Sequence, residues 1–280
     1  MTTDTEANAP RSLQYLIWIG FWFHPWLSRD WLNQYLTRDF LFICVVWILP
    51  VMCTGFYHCI NSAPLKQYFD KYSLRDKSFS IQEIDLHNIV TRHFWKSRIF
   101  ITLIYLVMGL GTGGDNEKDK ELYDASLPAT PSRLQSIIEI VISLLITDFY
   151  YYWYHRAFHH PWLYRYHKYH HQFVKSIDLA VNWMSFIETV TGTSVMLFAP
   201  IWIMKMSPIT TFMWIIVTVT RGYYDHAGYD LPIEPFQLIP FGNNVKAHDD
   251  HHKYGSSIGG GNYGAFFSWC DTVFGTSISK

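Results

Sequence analysis

Histidine is concentrated in two short parts of this chain. Residues 155–171 read HRAFHHPWLYRYHKYHH and contain six histidines, and residues 248–252 read HDDHH. Histidines three or four residues apart on a helix lie on one face, where their ring nitrogens can meet at a metal ion. The two regions therefore predict a metal site. The candidate ligands within them are His155, His159, His167, His170, His171, His248, His251 and His252.

The spacing H-x-x-H-H occurs twice, at 167–171 and 248–252, and we expect the three histidines of each motif to share one helix face. The motif H-E-x-x-H is absent, so a zinc metalloprotease is not supported. Eight or nine imidazoles exceed the three or four protein ligands of one zinc site, and two metal ions sharing them is the simplest count. A redox metal such as iron suits imidazole ligands. The role of His160 is left open.

Two acidic residues interrupt apolar segments near these histidines. Asp148 precedes His155 by seven residues, two helical turns away on the same face, and Glu188 lies in the next apolar block. An acid in such a segment is costly unless it is paired, and metal-bound imidazoles usually donate their second N–H to a carboxylate or carbonyl group. Asp148 and Glu188 are thus candidates for orienting the ligand rings, the alternative being acids that face headgroups or water.

The elements that position these residues are predicted to be membrane helices. The chain has 280 residues, of which 49% are hydrophobic and only 16% charged. Apolar blocks cover 40–60, 134–154 and 186–204, with a continuation to 220 after a predicted tight turn at 205–208. The block at 99–111 is short for a span, and 12–27 resembles an interfacial helix. We therefore predict an all-α integral membrane protein.

The distribution of basic residues predicts the orientation of these helices. Residues 61–98 contain seven Lys and Arg, whereas residues 112–133 contain three together with five acids. The positive-inside rule places the first loop in the cytoplasm and the second outside. If 99–111 crosses the membrane, both histidine-rich regions then lie on the cytoplasmic side, where they form a catalytic cap on the helices.

Composition argues against several other classes of protein. The formal net charge is −1 and no dense Lys/Arg block is present, so nucleic-acid binding is excluded. The four cysteines form no C-x-x-C pair and three lie in or beside one apolar segment, so no disulfide framework is expected. The polar N-terminus lacks a basic region, and a cleaved signal peptide is not expected.

The motifs H-x3-H at 155–159, H-x2-H-H at 167–171 and H-x2-H-H at 248–252, in this order, resemble the histidine boxes of the fatty acid hydroxylase and sterol desaturase superfamily. The resemblance continues through DHAGYDLP at 225–232, LIPFG at 238–242 and NYGAFFSWCDTVFGT at 262–276. It divides the chain into an N-terminal membrane and loop region, 1–133, and a hydroxylase-like catalytic domain, 134–276. His226 matches a further family ligand, which brings the set to nine.

The resemblance implies a membrane-bound non-haem di-iron enzyme. Two iron ions would be held by the nine histidines, with dioxygen as co-substrate and electrons from NAD(P)H through a b-type cytochrome and its reductase. The implied reaction is hydroxylation of an unactivated C–H bond of a lipid substrate at the bilayer of the endoplasmic reticulum, with the active site facing the cytoplasm. Desaturation of a lipid is an alternative within the family, and a histidine-rich metal transporter is an alternative from another class.

The substrate expectation rests on short stretches around the boxes. PWLYRYHKYHHQF and NWMSFIE look more like sterol-acting members, such as cholesterol 25-hydroxylases and C-4 methylsterol oxidases, than like fatty acid 2-hydroxylases. Ser185–Phe186 replaces the His-Pro pair usual in methylsterol oxidases and favours a side-chain hydroxylase. Asp230 stands where acyl-chain relatives can carry another histidine. A sterol is therefore expected, with a fatty acyl chain as the alternative.

Overall fold

The computed structural model describes residues 38–74, 81–107, 131–174, 176–232, 234–255 and 260–278. The predicted interfacial helix at 12–27 and nearly all of the 112–133 loop lie outside these residues. The described part of the chain is helical and contains no strand beyond two isolated bridges. An all-α fold is confirmed.

The described residues form nine helices. Helix α1 comprises Arg38–Ile43, a π-helical turn Cys44–Ile48 and Leu49–Ile60, and α6 comprises Phe186–Glu188, a π-helical turn Thr189–Ser194 and Val195–Met204. The others are α2 (Ala63–Phe69), α3 (Ile81–Val107), α4 (Arg133–Phe158), α5 (Pro161–His167), α7 (Pro208–Asp225), α8 (Val245–Tyr254) and α9 (Trp269–Val273). Short 3-10 turns lie at Asp70–Tyr72, His170–Gln172, Asp178–Asn182 and Pro235–Leu238.

Three helical stretches are long and apolar enough to cross a membrane: Asp39–Ile60, Arg133–Phe158 and Phe186–Met204. They agree with the apolar blocks predicted at 40–60, 134–154 and 186–204. The uncertain block at 99–111 begins inside α3, a helix of 27 residues that does not meet the same criteria within the described residues.

Helix α4 has the side-chain distribution of a helix surrounded by lipid. Its buried face carries Ser143, Thr147 and Asp148, whereas large apolar side chains point outward. A helix of a soluble protein shows the opposite arrangement, because its apolar face must be removed from water. The exposed apolar residues of α4 include Leu134, Ile138, Val141, Leu145, Ile146 and Phe149.

The predicted turn between α6 and α7 is confirmed. Lys205 ends α6 in the left-handed conformation, with φ of 49°, and Pro208 occupies the first turn of α7. Proline fits there because the first helical N–H groups need no partner within the helix. Ser207 caps α7 by accepting a hydrogen bond from the backbone N–H of Thr210 at 3.3 Å. The two helices therefore form a hairpin beside α4.

A hydrophobic core lies beneath the histidine-rich segments. It joins Tyr57 of α1, Phe94 of α3, Phe173 and Ile177 of the segment after the second histidine motif, and Tyr223 of α7. This core brings the end of α7 next to residues 170–173, and thereby sets His226 beside the second motif.

Candidate metal centre

The nine predicted histidines converge into two groups. Within each group, one ring nitrogen from every histidine lies within 4.8 Å of the corresponding nitrogens of the others, and all nine residues are buried. We refer to them as the five-histidine group and the four-histidine group. The first consists of His155, His159, His167, His171 and His251, and the second of His170, His226, His248 and His252.

The expectation that the histidines of a motif share one helix face holds for α8, whose three motif histidines are all buried, but they divide between the two groups. His248 and His252 belong to the four-histidine group, whereas His251 between them belongs to the other. Successive residues of a helix project about 100° apart, so neighbouring histidines at the end of α8 reach different groups. The second motif does not lie on one helix, because α5 ends at His167 and a 3-10 turn begins at His170. Its His167 and His171 join the five-histidine group and His170 joins the other. Each group thus draws ligands from both motifs.

The remaining ligands come from helix ends. His155 lies in the last turn of α4 and His159 is its C-cap residue, while His226 is the C-cap residue of α7. His160 is exposed and its ring packs against Trp162 at 5.7 Å, so it joins neither group.

Backbone carbonyls fix two rings of the five-histidine group. The Nδ1–H of His155 donates to the carbonyl oxygen of Tyr263 at 3.1 Å, and that of His251 donates to the carbonyl oxygen of Gly261 at 2.6 Å. A carbonyl oxygen can only accept, so each of these Nδ1 atoms carries a proton. In a neutral imidazole the Nε2 atom then carries no proton, and its lone pair can bind a metal.

The four-histidine group shows the same arrangement. The Nδ1–H of His226 donates to the carbonyl oxygen of Gly222 at 2.8 Å, and that of His252 donates to the carbonyl oxygen of Phe173 at 3.0 Å. Both Nε2 atoms are again unprotonated, and their lone pairs point into the group.

The Nε2 atoms within each group lie at short range from one another. The Nε2 atoms of His155 and His167 are 3.1 Å apart, and those of His171 and His251 are also 3.1 Å apart. In the other group the Nε2 atoms of His226 and His248 are 3.0 Å apart. Where both Nδ1 atoms are protonated, two such nitrogens cannot form a hydrogen bond. A metal ion with bonds of about 2.1 Å places ligand nitrogens at right angles about 3.0 Å apart, so the separations fit one ion per group.

Electrostatics keep these rings neutral. Burial lowers the pKa of His226 to about 4. Burial, with the adjacent His159, lowers the pKa of His251 to about 3. The pKa values of His248 and His252 are also lowered well below the ordinary range, first by burial and then by neighbouring imidazoles. The rings are therefore neutral at neutral pH, and in His226, His251 and His252 the proton lies on Nδ1, which leaves Nε2 free for a metal.

Glu188 contacts the five-histidine group directly. Its Oε1 accepts a hydrogen bond from Nδ1 of His167 at 2.5 Å, and its side chain is 2% exposed. The other oxygen, Oε2, accepts from the backbone N–H and the hydroxyl of Ser185, each at 3.0 Å, which completes the capping box of α6. One carboxylate therefore joins a candidate ligand to the start of a membrane helix.

Asp148 does not contact a candidate ligand in the way expected. Its Oδ1 accepts hydrogen bonds from the backbone N–H groups of Phe266 and Phe267, at 2.8 and 3.0 Å. The expected direct hydrogen bond to a histidine ring is replaced by these contacts with backbone N–H groups. The physical reason is distance, because seven residues of helix separate it from His155 by about 10 Å along the axis.

Several site residues could not be found from their side chains. The acceptors for four imidazoles are the carbonyl groups of Gly222, Phe173, Gly261 and Tyr263, which every residue type possesses. Two of them, Gly261 and Tyr263, lie in the Gly-rich, aromatic stretch at 260–268.

The family model for fatty acid hydroxylases matches residues 140–276. Residues 140–276, just under half of the chain, are therefore similar to the fatty acid hydroxylase family. The resemblance predicted from the three histidine motifs is thereby confirmed. No solved structure shows a significant match to the chain.

The chain is also similar to curated methylsterol monooxygenases. A putative methylsterol monooxygenase of Dictyostelium discoideum is 34% identical over 157 residues, which cover 55% of this chain and 55% of that protein. Methylsterol monooxygenase 1-1 of Arabidopsis thaliana is 31% identical over 147 residues, 52% of this chain and 49% of that protein. Methylsterol monooxygenase 1 of Gallus gallus is 34% identical over 134 residues, 47% of this chain and 43% of that protein. The chain matches about half the length of these relatives.

Proposed function

We propose that this protein is a membrane-bound, iron-dependent oxygenase that hydroxylates an unactivated C–H bond of a lipid, with a sterol as the substrate class. The observation that carries the proposal is the pair of buried histidine groups, whose Nε2 atoms converge at 3.0 to 3.2 Å. Between His155 and His167 no proton is available, because both Nδ1 atoms donate to acceptors. The groups lie at the ends of apolar helices, where a lipid can approach from the bilayer.

The five-histidine group would hold one iron ion and the four-histidine group the second. Bound iron supplies the capacity to activate dioxygen with external electrons and to oxidise a C–H bond. The chain's own contribution is positional. Buried carbonyl groups and Glu188 accept the Nδ1 protons of five rings and thereby direct the Nε2 atoms of these rings into the groups. Burial of all nine ligands excludes bulk water from the centre.

The redox partners and location belong to the proposal as well. We infer that electrons come from NAD(P)H through a b-type cytochrome and its reductase, and that the centre faces the cytoplasm from the endoplasmic reticulum membrane. The three candidate membrane helices and the similarity to methylsterol monooxygenases support this. We further propose that 134–276 is the catalytic domain and that 1–133 is a membrane and loop region.

Two observations bear on the choice of sterol. The relatives described above are named methylsterol monooxygenases, which favours a sterol over a fatty acyl chain. Ser185–Phe186 replaces the usual His-Pro pair of methylsterol oxidases, and its Ser185 caps α6 instead. The first observation favours a methyl group on the ring system and the second favours the sterol side chain, so the proposal is a sterol without a specified carbon.

A metal transporter is less compatible with the geometry. Transporter sites typically lie near the bilayer midplane on broken helices. Here His155 lies in the last turn of α4 and His226 follows the last residue of α7, so the ligands lie at helix ends.

Mass spectrometry of lipids from sterol-auxotrophic cells tests the proposed reaction. Cells fed one defined sterol would express either the natural chain or a His226→Ala variant as the inactive control. We expect a sterol heavier by one oxygen atom only with the natural chain, with label from ¹⁸O₂. A hydroxylated or desaturated acyl chain with unchanged sterols would refute the sterol, and no labelled lipid at all in cells with bound iron would refute the oxygenase.

A further inference from the structure

The C-terminal segment 260–278 contributes no ligand to the five-histidine group, but it supplies two of the carbonyl groups that hold the ligand rings. The carbonyl oxygens of Gly261 and Tyr263 accept the Nδ1–H groups of His251 and His155. These two carbonyls lie in one short loop, and they come from a stretch that follows the last histidine motif. The position of this loop therefore determines how two imidazoles are held.

Asp271 holds the loop from one side. Its Oδ1 accepts the backbone N–H of Tyr263 at 2.9 Å and the hydroxyl of Thr276 at 2.7 Å. Its Oδ2 accepts the backbone N–H of Gly264 at 2.8 Å. The residue is 2% exposed, so all three hydrogen bonds are shielded from water. Asp271 thus binds the N–H of the peptide unit whose carbonyl group orients His155.

Asn262 fixes the peptide between the two carbonyls. It has a left-handed backbone with φ of 55°, and its side-chain amide donates to the carbonyl oxygen of Ala247 in α8 at 3.0 Å. Its Oδ1 accepts from the backbone N–H of Ile278 at 2.8 Å. At Gly261 an added Cβ would lie 2.4 Å from the carbonyl oxygen of Thr276, so only glycine fits. The loop is therefore bound both to α8 and to the backbone near Ile278.

Asp148 holds the far end of the same loop. It is completely buried in α4, and its Oδ1 accepts the backbone N–H groups of Phe266 and Phe267. Because α4 also carries His155, this contact fixes the position of the loop relative to His155 along the helix axis. Asp148 and Asp271 together bind four backbone N–H groups between 263 and 267.

We propose that Asp271 and Asp148 are positioning residues for the five-histidine group, and that they act by fixing the carbonyls of Tyr263 and Gly261. If these carbonyls move, His155 and His251 lose the acceptors that keep the proton on Nδ1. A proton on Nε2 instead would remove the lone pair that a metal needs.

The effect should be confined to one metal position. The four-histidine group uses the carbonyls of Gly222 and Phe173 for its Nδ1 protons, and neither belongs to the 260–278 segment. A general loss of folding would instead weaken both positions. The inference rests on the proposed function only in assuming that each group binds a metal ion.

Metal loading of the full-length protein in detergent tests the inference. Asp271→Asn keeps the size of the side chain but removes the charge and replaces one acceptor oxygen with an NH₂ group, which cannot accept the N–H of Gly264 or Tyr263. Ferrous iron or cobalt(II) would be titrated against a competing chelator. We expect one ion per chain to bind about 10- to 100-fold more weakly and the other to bind unchanged.

Three further samples make the result interpretable. Asp70→Asn, at an exposed carboxylate paired with Lys66, is the matched control and should bind both ions like the natural chain. Thr276→Val removes one of the hydrogen bonds to Asp271, together with the contact of the same hydroxyl with the Tyr152 hydroxyl at 3.0 Å. It should give a smaller weakening of the same ion, which keeps the test possible if Asp271→Asn does not fold. His226→Ala should weaken the other ion, which assigns the two cobalt(II) absorption spectra.

The outcomes separate the inference from the proposed function. Weakening of the ion that His226→Ala leaves unchanged supports the positioning role, whether or not the protein hydroxylates a lipid. Natural affinity for both ions in Asp271→Asn, or equal weakening of both with a lower Tm of the metal-free protein, would overturn it. Absence of metal binding by the natural chain would refute the metal centre itself.

Discussion

Replacing Glu188 with glutamine should weaken one of the two proposed metal positions. The carboxylate is bound on both sides, with Oε1 accepting from His167 and Oε2 accepting from the backbone N–H and hydroxyl of Ser185. A glutamine of nearly equal size keeps only one acceptor oxygen. If that oxygen faces Ser185, the NH₂ group faces His167 and favours the tautomer whose Nε2 is protonated. If it faces His167, the backbone N–H of Ser185 loses its partner.

The magnitude follows from the lost contact. Removing the group that orients a metal-bound imidazole typically weakens metal binding about 10- to 100-fold, which corresponds to about 1.4 to 2.8 kcal/mol. The contact is short and buried, so we expect a value in the upper half of this range. Only the five-histidine group should be affected, because His167 belongs to it.

The assay is a chelator competition titration of purified protein with iron or cobalt(II), with Ser185→Ala as the control. Ser185→Ala removes the cap hydroxyl but leaves the carboxylate facing His167, so it should lower the free energy of unfolding by about 1 kcal/mol and leave metal affinity unchanged. The reasoning is refuted if Glu188→Gln binds two ions with natural affinity, or if Ser185→Ala weakens metal binding as strongly as Glu188→Gln.

Three other predictions concern the ligands, pH and orientation. Alanine at any of the nine histidines should abolish turnover while the protein still inserts, whereas His160→Ala should be nearly silent; full activity in two of the nine variants would contradict a shared centre. Burial lowers the pKa of His226 and His251 below 6.5, so the unfolded chain takes up protons that the folded chain does not. The free energy of unfolding of the metal-free protein should therefore fall by about 1.4 kcal/mol per pH unit for each histidine as pH drops from about 6.5 toward 4. A Tm that stays constant over this range would contradict this. A glycosylation acceptor near residue 120 should be modified in the endoplasmic reticulum and one after Lys280 should not; the reverse pattern would refute a cytoplasmic centre.

The identity of the clustered histidines was predictable, but their division was not. Residue type and spacing point to nine imidazoles, and the structure brings all nine together. The sequence does not say that His251 joins His155 whereas His252 joins His170, because this depends on which helices face each side of α8. Helical period separates neighbouring histidines, and tertiary packing decides which group each of them joins.

The acidic residues show a second limit of side-chain patterns. Asp148 and Glu188 look alike in the sequence, since each is a single acid in an apolar segment, yet Glu188 contacts His167 and Asp148 binds a distant loop. Contacts with backbone groups leave almost no trace in residue types, so the carbonyl acceptors of the imidazoles could not be anticipated. The helices were easier to predict, because a span of apolar residues reflects the bilayer thickness directly.

The central claim is that two metal ions occupy the two histidine groups. The most direct measurement is the iron content of detergent-purified protein, determined by elemental analysis against protein concentration from amino-acid analysis. We predict two irons per chain, one iron in His226→Ala with the other group still loaded, and a matched loss of the other iron in His155→Ala. A content of zero, or of one iron that neither variant removes, would contradict the account.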